Sequence, residues 1–317
     1  MGLTRRPGSS LLEAIGNTPL IELKRITQGL KASIFAKLEF MNPGGSIKDR
    51  IARYMVEKAE RQGLIKPGDV LVENSSGNTA IGLAIVALQK GYRCKVVLRD
   101  STSQEKIRML QYLGVEVILV DSSLPPEDEH SYNNYAARLA ASEPGCYYVD
   151  QHHNRDNNEA HYHTTGPEIW DQMQGRIDYF ICGIGTGGTL FGAGRFLKEK
   201  NPHLKLIGID PVGSVFYDFF KYGRKVRPER YRLEGLGDEF ILETLDFDLL
   251  DDMLKIDDET AFAHARLLAR KEGIIAGGSS GANLWGALQL ARQIDKPCNI
   301  VTVFPDSGFR YLSSIFS

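Results

Sequence analysis

YFICGIGTGGTLFGAGRFLKEKNPHLKLIGID, residues 179–210, carries the fold in miniature. A short apolar run leads into a glycine loop, CGIGTGGT (182–189), then a helix-length stretch closing on KEK, then a second apolar run, LKLIGID. Strand, glycine turn, helix and strand in one stretch form the unit from which parallel sheets with crossover helices are built. Outward from it the alternation continues. Apolar runs at 32–38, 70–72, 95–98, 116–120, 179–182, 205–209 and 299–304 read as strands. Between them, 48–62, 79–90, 104–113, 132–141, 166–173, 190–200, 258–272 and 282–294 read as helices. The pattern predicts an α/β protein with mainly parallel sheets flanked by helices. On such sheets ligands gather beyond the carboxyl ends of the strands.

A length of 317 residues suits two domains or one large α/β unit. The polar stretch DQHHNRDNN (150–158), near mid-chain, is the candidate junction, and 121–130 reads as an exposed acidic loop. With 38 Lys and Arg against 40 Asp and Glu, there is no basic excess to argue for nucleic acid or an anionic membrane. Cys94, Cys146, Cys182 and Cys298 are far apart, which argues against a disulfide framework or zinc ribbon and for reduced thiols in the cytoplasm. The N-terminus has no apolar targeting core, and the longest uncharged run, 273–291, is too rich in glycine and polar residues to span a bilayer.

Three glycine loops and one lysine carry the chemistry. In the first loop Gly183, Gly185 and Gly188 satisfy Gly-x-Gly-x-x-Gly, and Asp210 lies 22 positions beyond Gly188. Backbone N–H groups at a helix start make an anion site there. The spacing fits a dinucleotide or a monophosphate; the hydroxyls of Thr186 and Thr189 favour a monophosphate cup. The second loop, ENSSGNT (73–79), sets Ser75, Ser76, Asn78 and Thr79 around one glycine. A helix cap needs one such residue, so the excess suggests an anionic or carbonyl ligand. The third, AGGSSGA (276–282), contains the Gly-x-Ser-x-Gly of a hydrolase elbow, but no histidine follows it. Lys48, in NPGGSIKDR (42–50), sits in the first turn of a helix that Ser46 is expected to cap. An amine beside a polar helix start is the arrangement a Schiff-base lysine needs. His152, His153, His161 and His163 lack the spacing of a metal set, so no metal is expected.

In this order, NPGGSIKDR, ENSSGNTAIGLA, CGIGTGGT and AGGSSGA resemble the pyridoxal-phosphate enzymes of the cysteine synthase and cystathionine β-synthase family, from IGNTPLIEL (15–23) to PDSGFRYLSSIF (305–316). The resemblance implies the type II fold of pyridoxal enzymes, with the cofactor, pyridoxal 5′-phosphate, in a cleft between two α/β domains. Residues 41–155 would form the smaller, substrate-binding domain. Residues 1–40 and 156–317 would form the larger one, which binds the cofactor phosphate. Lys48 would hold the cofactor covalently and remove the substrate's Cα proton. Asn78 would bond the ring hydroxyl, Gly185, Thr186, Gly187, Gly188 and Thr189 the phosphate, and Ser279 would face the pyridine nitrogen. Ser75, Ser76, Thr79 and Gln151 would grip the substrate carboxylate, and Asp238, in EGLGDEF (234–240), would meet the ammonium of an amino-acid thiol.

The implied activity is β-replacement on serine or an activated serine by a thiol. DQHHN (150–154), AHYHTT (160–165), DPVGS (210–214) and EGLGDEF lean towards serine with homocysteine. The alternatives are a cysteine synthase, using O-acetylserine or O-phosphoserine with sulfide, and a specialised β-substituted alanine synthase. Ala80 stands where the family mostly has glycine, and Arg99 where it has proline. A homodimer is expected, without the haem-binding extension or regulatory module of some relatives. A nicotinamide dehydrogenase, the reading from another class, leaves Lys48 and ENSSGNT unused.

Overall fold

Among the residues that the computed structural model describes, 8–75, 77–125 and 127–317, ten strands form. They are β1 (Leu20–Glu22), β2 (Ser33–Leu38), β3 (Val70–Asn74), β4 (Arg93–Arg99), β5 (Glu116–Val120), β6 (Cys146–Tyr148), β7 (Tyr179–Gly183), β8 (Lys205–Pro211), β9 (Asp252–Ile256) and β10 (Asn299–Phe304). The helices that matter below are α1 (Lys48–Arg61), α2 (Asn78–Lys90), α3 (Tyr135–Ser142), α4 (Asp156–His163), α5 (Gly194–Lys200), α6 (Asp258–Glu272) and α7 (Gly278–Gln293). By internal contacts the chain divides into two compact units: Met1–Gly16 with Asn42–Asp156, and Asn17–Met41 with Asn157–Ser317.

The first unit is built on a parallel sheet of order β5-β4-β3-β6. All five residues of β3, VLVEN, are buried, as expected of a parallel strand covered on both faces. Helices α1 and α2 pack closely, because Gly82 brings its backbone against Lys48: a Cβ there would stand 3.1 Å from the Lys48 carbonyl oxygen. Gly91, left-handed at φ +76°, ends α2 and passes its N–H to the Ala87 carbonyl.

The second unit holds a sheet of order β1-β2-β10-β7-β8-β9, parallel except for β1 against β2. Its core gathers Ile34, Ile181, Ile209 and Phe304 from the sheet with Ala261, Ala265, Ala282 and Ala287 from α6 and α7. Small residues let these two helices approach. A Cβ at Gly281 would lie 2.0 Å from the Ala261 carbonyl oxygen.

In both sheets the order reverses beside one strand. From β3 the chain steps outward to β4 and β5, then returns on β3's other side as β6; from β7 it steps to β8 and β9, then returns as β10. Such switch points are where open parallel sheets bind ligands. β3 runs into ENSSGNT and β7 into the glycine loop.

Several elements differ from the sequence reading. The third loop is half helix: α7 begins at Gly278, so Ser279 lies in its first turn. The helix expected from 132 begins at Tyr135, and the polar junction runs into α4. Residues 8–16 group with the first unit, not with the second as the resemblance implies for 1–40. The short helix Leu11–Ala14 is tied there: Ser10 Oγ donates to Gln89 on α2, and Arg53 on α1 donates to the Leu12 carbonyl. Among the described residues no helix is long and apolar enough to cross a membrane.

Candidate active site

In the first unit, the NPGGS turn sets up Lys48. Gly45 turns the chain at φ +74° and its N–H reaches the Asn42 carbonyl at 2.8 Å. Asp49, buried, accepts the N–H of Gly44, and Ser46 Oγ accepts the N–H of Lys48 at 3.2 Å. Ser46 thus does what a cap does, although the position before α1 is Ile47. Lys48 is the first residue of α1. His152 is lowered to about 4, chiefly by burial and next by the Lys48 charge, so it is neutral at neutral pH. Glu73 is raised to about 8 by burial, against which the Lys48 charge acts.

Beyond β3, Ser75 Oγ accepts the N–H of Gly77 at 3.3 Å, and α2 starts with Asn78. Thr79 donates its hydroxyl to Gln151 Oε1 at 2.6 Å. Both are buried. The loop's base is fixed by Asn74: its Oδ1 accepts the Tyr148 hydroxyl at 2.8 Å and its carbonyl the Tyr132 hydroxyl at 3.0 Å. Lys48, Ser75, Asn78, Thr79 and Gln151 therefore all belong to one unit. Ser76 lies outside the described residues.

In the second unit, Gly185, Thr186, Gly187, Gly188 and Thr189 follow β7 and lead into a wide helical turn, Gly188–Ala193, continued by α5. Gly187 is left-handed at φ +78°, and a Cβ at Gly185 would stand 2.3 Å from the Gly235 carbonyl oxygen. The sequence reading missed what holds this loop. Asn157 donates from Nδ2 to Thr186 Oγ1 at 2.8 Å, and the Thr244 hydroxyl donates to the Thr186 carbonyl at 2.7 Å. His161 Nε2 lies 3.3 Å from Thr189 Oγ1, while its Nδ1 pairs with Thr165 Oγ1 at 2.8 Å. Asn283, on α7, accepts the Gly183 N–H at 2.7 Å. Asn157 and His161 are one helical step of four apart on α4, a spacing visible in the sequence but without meaning until Thr186 and Thr189 face it.

Ser279 is buried in the first turn of α7. Asp238 is partly exposed; its Oδ1 accepts the Glu239 N–H at 2.6 Å, and its own N–H reaches Ser214 Oγ at 3.2 Å. Asp210, the acid of the dinucleotide spacing, is wholly buried, accepts the Tyr217 N–H at 2.8 Å, and is raised by burial to about 6. It is spent inside the fold, which removes the main support for a nicotinamide site. Among the described residues no three His, Cys, Asp or Glu side chains converge as a metal set, and the four cysteines are free thiols.

A family model described as "Pyridoxal-phosphate dependent enzyme" matches residues 11–306. A cystathionine beta-synthase of Apis mellifera is 42% identical over 97% of the chain, which spans 61% of that protein. The chain spans 55–61% of the cystathionine beta-synthases of this kind that it matches. A cysteine synthase of Staphylococcus aureus is 40% identical over 98% of both chains. The crystal structure of an O-acetylserine dependent cystathionine beta-synthase from Helicobacter pylori superposes with a TM-score of 0.88, at 35% identity over 99% of this chain and all of the other.

Proposed function

The chain belongs to the pyridoxal-phosphate dependent enzymes, and on that premise we propose that it joins a thiol to the β-carbon of serine or an activated serine. Lys48 carries the reading: it begins α1 in the same unit as Ser75, Asn78, Thr79 and Gln151, and its charge reaches His152 and Glu73. The residues fit the cofactor. The loop after β7 offers backbone N–H groups and two hydroxyls and contains no carboxylate, the donor set a phosphate requires. Its shape needs glycine at Gly185 and Gly187.

Lys48 would hold the cofactor covalently through Nζ, with Asn78 at the ring hydroxyl, Ser279 at the pyridine nitrogen, and Gly185, Thr186, Gly187, Gly188 and Thr189 at the phosphate. Bound there, the cofactor supplies an electron sink for the pair left when the substrate's Cα proton departs. Ser75, Thr79 and Gln151 orient the donor by its carboxylate. Lys48 Nζ would take the substrate's Cα proton as general base. Ser279 presents a neutral hydroxyl where a carboxylate would hold a proton on the ring nitrogen, which suits loss of a β-substituent.

Among acceptors we favour homocysteine, with serine or an activated serine as donor. The relatives named cystathionine beta-synthase support this, and sulfide is the alternative supported by the cysteine synthases. The protein would work as a homodimer in the cytoplasm, where its thiols stay reduced. The purified protein should be yellow, bleach with borohydride, and carry the reduced cofactor on Lys48 by mass spectrometry. Lys48→Ala should fold and bind no cofactor covalently, with turnover lost. A tag on any other lysine overturns the assignment. Serine plus homocysteine assayed beside O-acetylserine plus sulfide then separates the acceptors.

A further inference from the structure

The strand that runs into ENSSGNT carries a carboxyl with no direct role in binding the cofactor or donor. Glu73 is wholly buried on β3. Its Oε1 accepts the Asn74 N–H at 3.1 Å and its Oε2 the Gln151 N–H at 3.2 Å. Gln151 in turn accepts the Thr79 hydroxyl. A carboxyl is costly to bury, and packing alone does not ask for one here: the residue before it is Val72 and its register partner on β4 is Val96. An apolar side chain could fill the space but could not receive N–H groups from two separate segments at once.

We propose that Glu73 is a positioning residue for the amino-acid donor: its carboxyl fixes the Gln151 backbone, and through Gln151 the Thr79 hydroxyl, in the arrangement that receives the donor's carboxylate. The inference rests on the reading of Thr79 and Gln151 as carboxylate-binding.

Ionisation gives this role a signature. Burial raises Glu73 to about 8 and the Asp150 charge adds to the rise, while the N–H bonds from Gln151 and Asn74 and the Lys48 charge oppose it. The groups that sense it or act on it are Lys48 at the start of α1, Asp150 after β6, Tyr148 on β6 and Cys94 on β4. Burial holds the last two protonated through this range, Cys94 up to about 12 and Tyr148 higher. As pH rises through about 8, Glu73 gains a negative charge behind the loop that is to hold the donor carboxylate, and like charge weakens that binding. By linkage, a bound carboxylate raises the Glu73 pKa in turn.

The test uses the holoenzyme and 3-hydroxypropanoate, a donor analogue with the carboxylate but no amine to titrate. Its inhibition constant in the wild type should rise roughly tenfold between about pH 7 and 9, a span set by one ionising group. In Glu73→Gln that step should vanish. The donor KM at neutral pH should rise severalfold, because an amide can accept only one of the two N–H groups, while the acceptor KM and kcat stay level. Thr79→Val should raise the donor KM similarly, and the double variant should be little worse than either single one. A pH step that persists in Glu73→Gln, or an unchanged donor KM there, overturns the proposal. So does a flat wild-type profile, whether or not the variant folds. If Thr79→Val leaves the donor KM unchanged, the carboxylate-binding reading itself fails and the inference falls with it.

Discussion

A lysine at the first position of a helix works against the macrodipole, and around Lys48 the chain makes local provision for it. Asp49 adds a buried carboxylate in the same turn, Ser46 takes the Lys48 N–H, and His152 is kept neutral instead of adding a second cation. Ser279 faces the opposite situation, since a helix start favours an anion yet α7 has a neutral hydroxyl there. Ser279→Asp should therefore be tolerated by the fold and keep cofactor. Its β-replacement rate should fall, because a carboxylate at the ring nitrogen stabilises a protonated ring. Steady-state rates equal to wild type, at equal cofactor absorbance, would remove Ser279 from the scheme. Lys48, Ser75, Thr79 and the glycines were visible as candidates because each motif is contiguous and its chemistry lies in its own backbone and side chains. Asn157, His161, Asn283 and Glu73 were not. The site residues they hold, Thr186, Thr189, Gly183 and Gln151, lie 28 to 100 positions away, and only the fold brings such pairs together.

The loop after β7 shows how much of an element's conformation rests on what surrounds it. Gly185 passes so close to Gly235 that a methyl group would meet a backbone carbonyl, which cannot swing aside as a side chain can. Gly185→Ala should cost about 1–3 kcal/mol, the usual range for forcing atoms into packed space. It should also lower cofactor occupancy, read as absorbance per chain beside the shift in melting temperature. Full occupancy at an unchanged melting temperature would mean that the loop yields without loss. Long periodic elements such as α6 were readable to the residue at both ends, helped by the Asp257 cap and the left-handed Gly273. The strands β1 and β6, three residues each, are too short for any period to show, and β9 mixes polar with apolar residues. The start of α7 was hidden for a different reason. Its glycines look like a loop, yet they are there so that the helix can press against α6.

On the scale of the whole molecule, the resemblance implied two α/β domains with residues 1–40 crossing to the second, and β2 pairs with β10 across more than 260 positions. Where residues 8–16 go depends on two side chains, Gln89 and Arg53, that reach Ser10 and Leu12. Assembly is a matter of surface. Among homo-oligomers a two-fold dimer is by far the commonest arrangement. Light scattering at micromolar concentration should give about twice the 35.3 kDa of the chain; a single-chain mass refutes the dimer. Charge distinguishes the two acceptors. Sulfide gains nothing from a nearby carboxylate, whereas homocysteine carries an ammonium group that Asp238 can meet. Asp238 is partly exposed, so the pairing is worth only about 0.2–1 kcal/mol, and severalfold is the most to expect. In Asp238→Ala the KM for homocysteine should rise by that amount while the KM for sulfide stays level or falls. Equal effects on both acceptors would make Asp238 a loop-shaping residue, through the Glu239 N–H that it holds. Strong sulfide turnover without detectable cystathionine in the wild type would move the enzyme to the cysteine synthase branch, with no use for an ammonium partner at all.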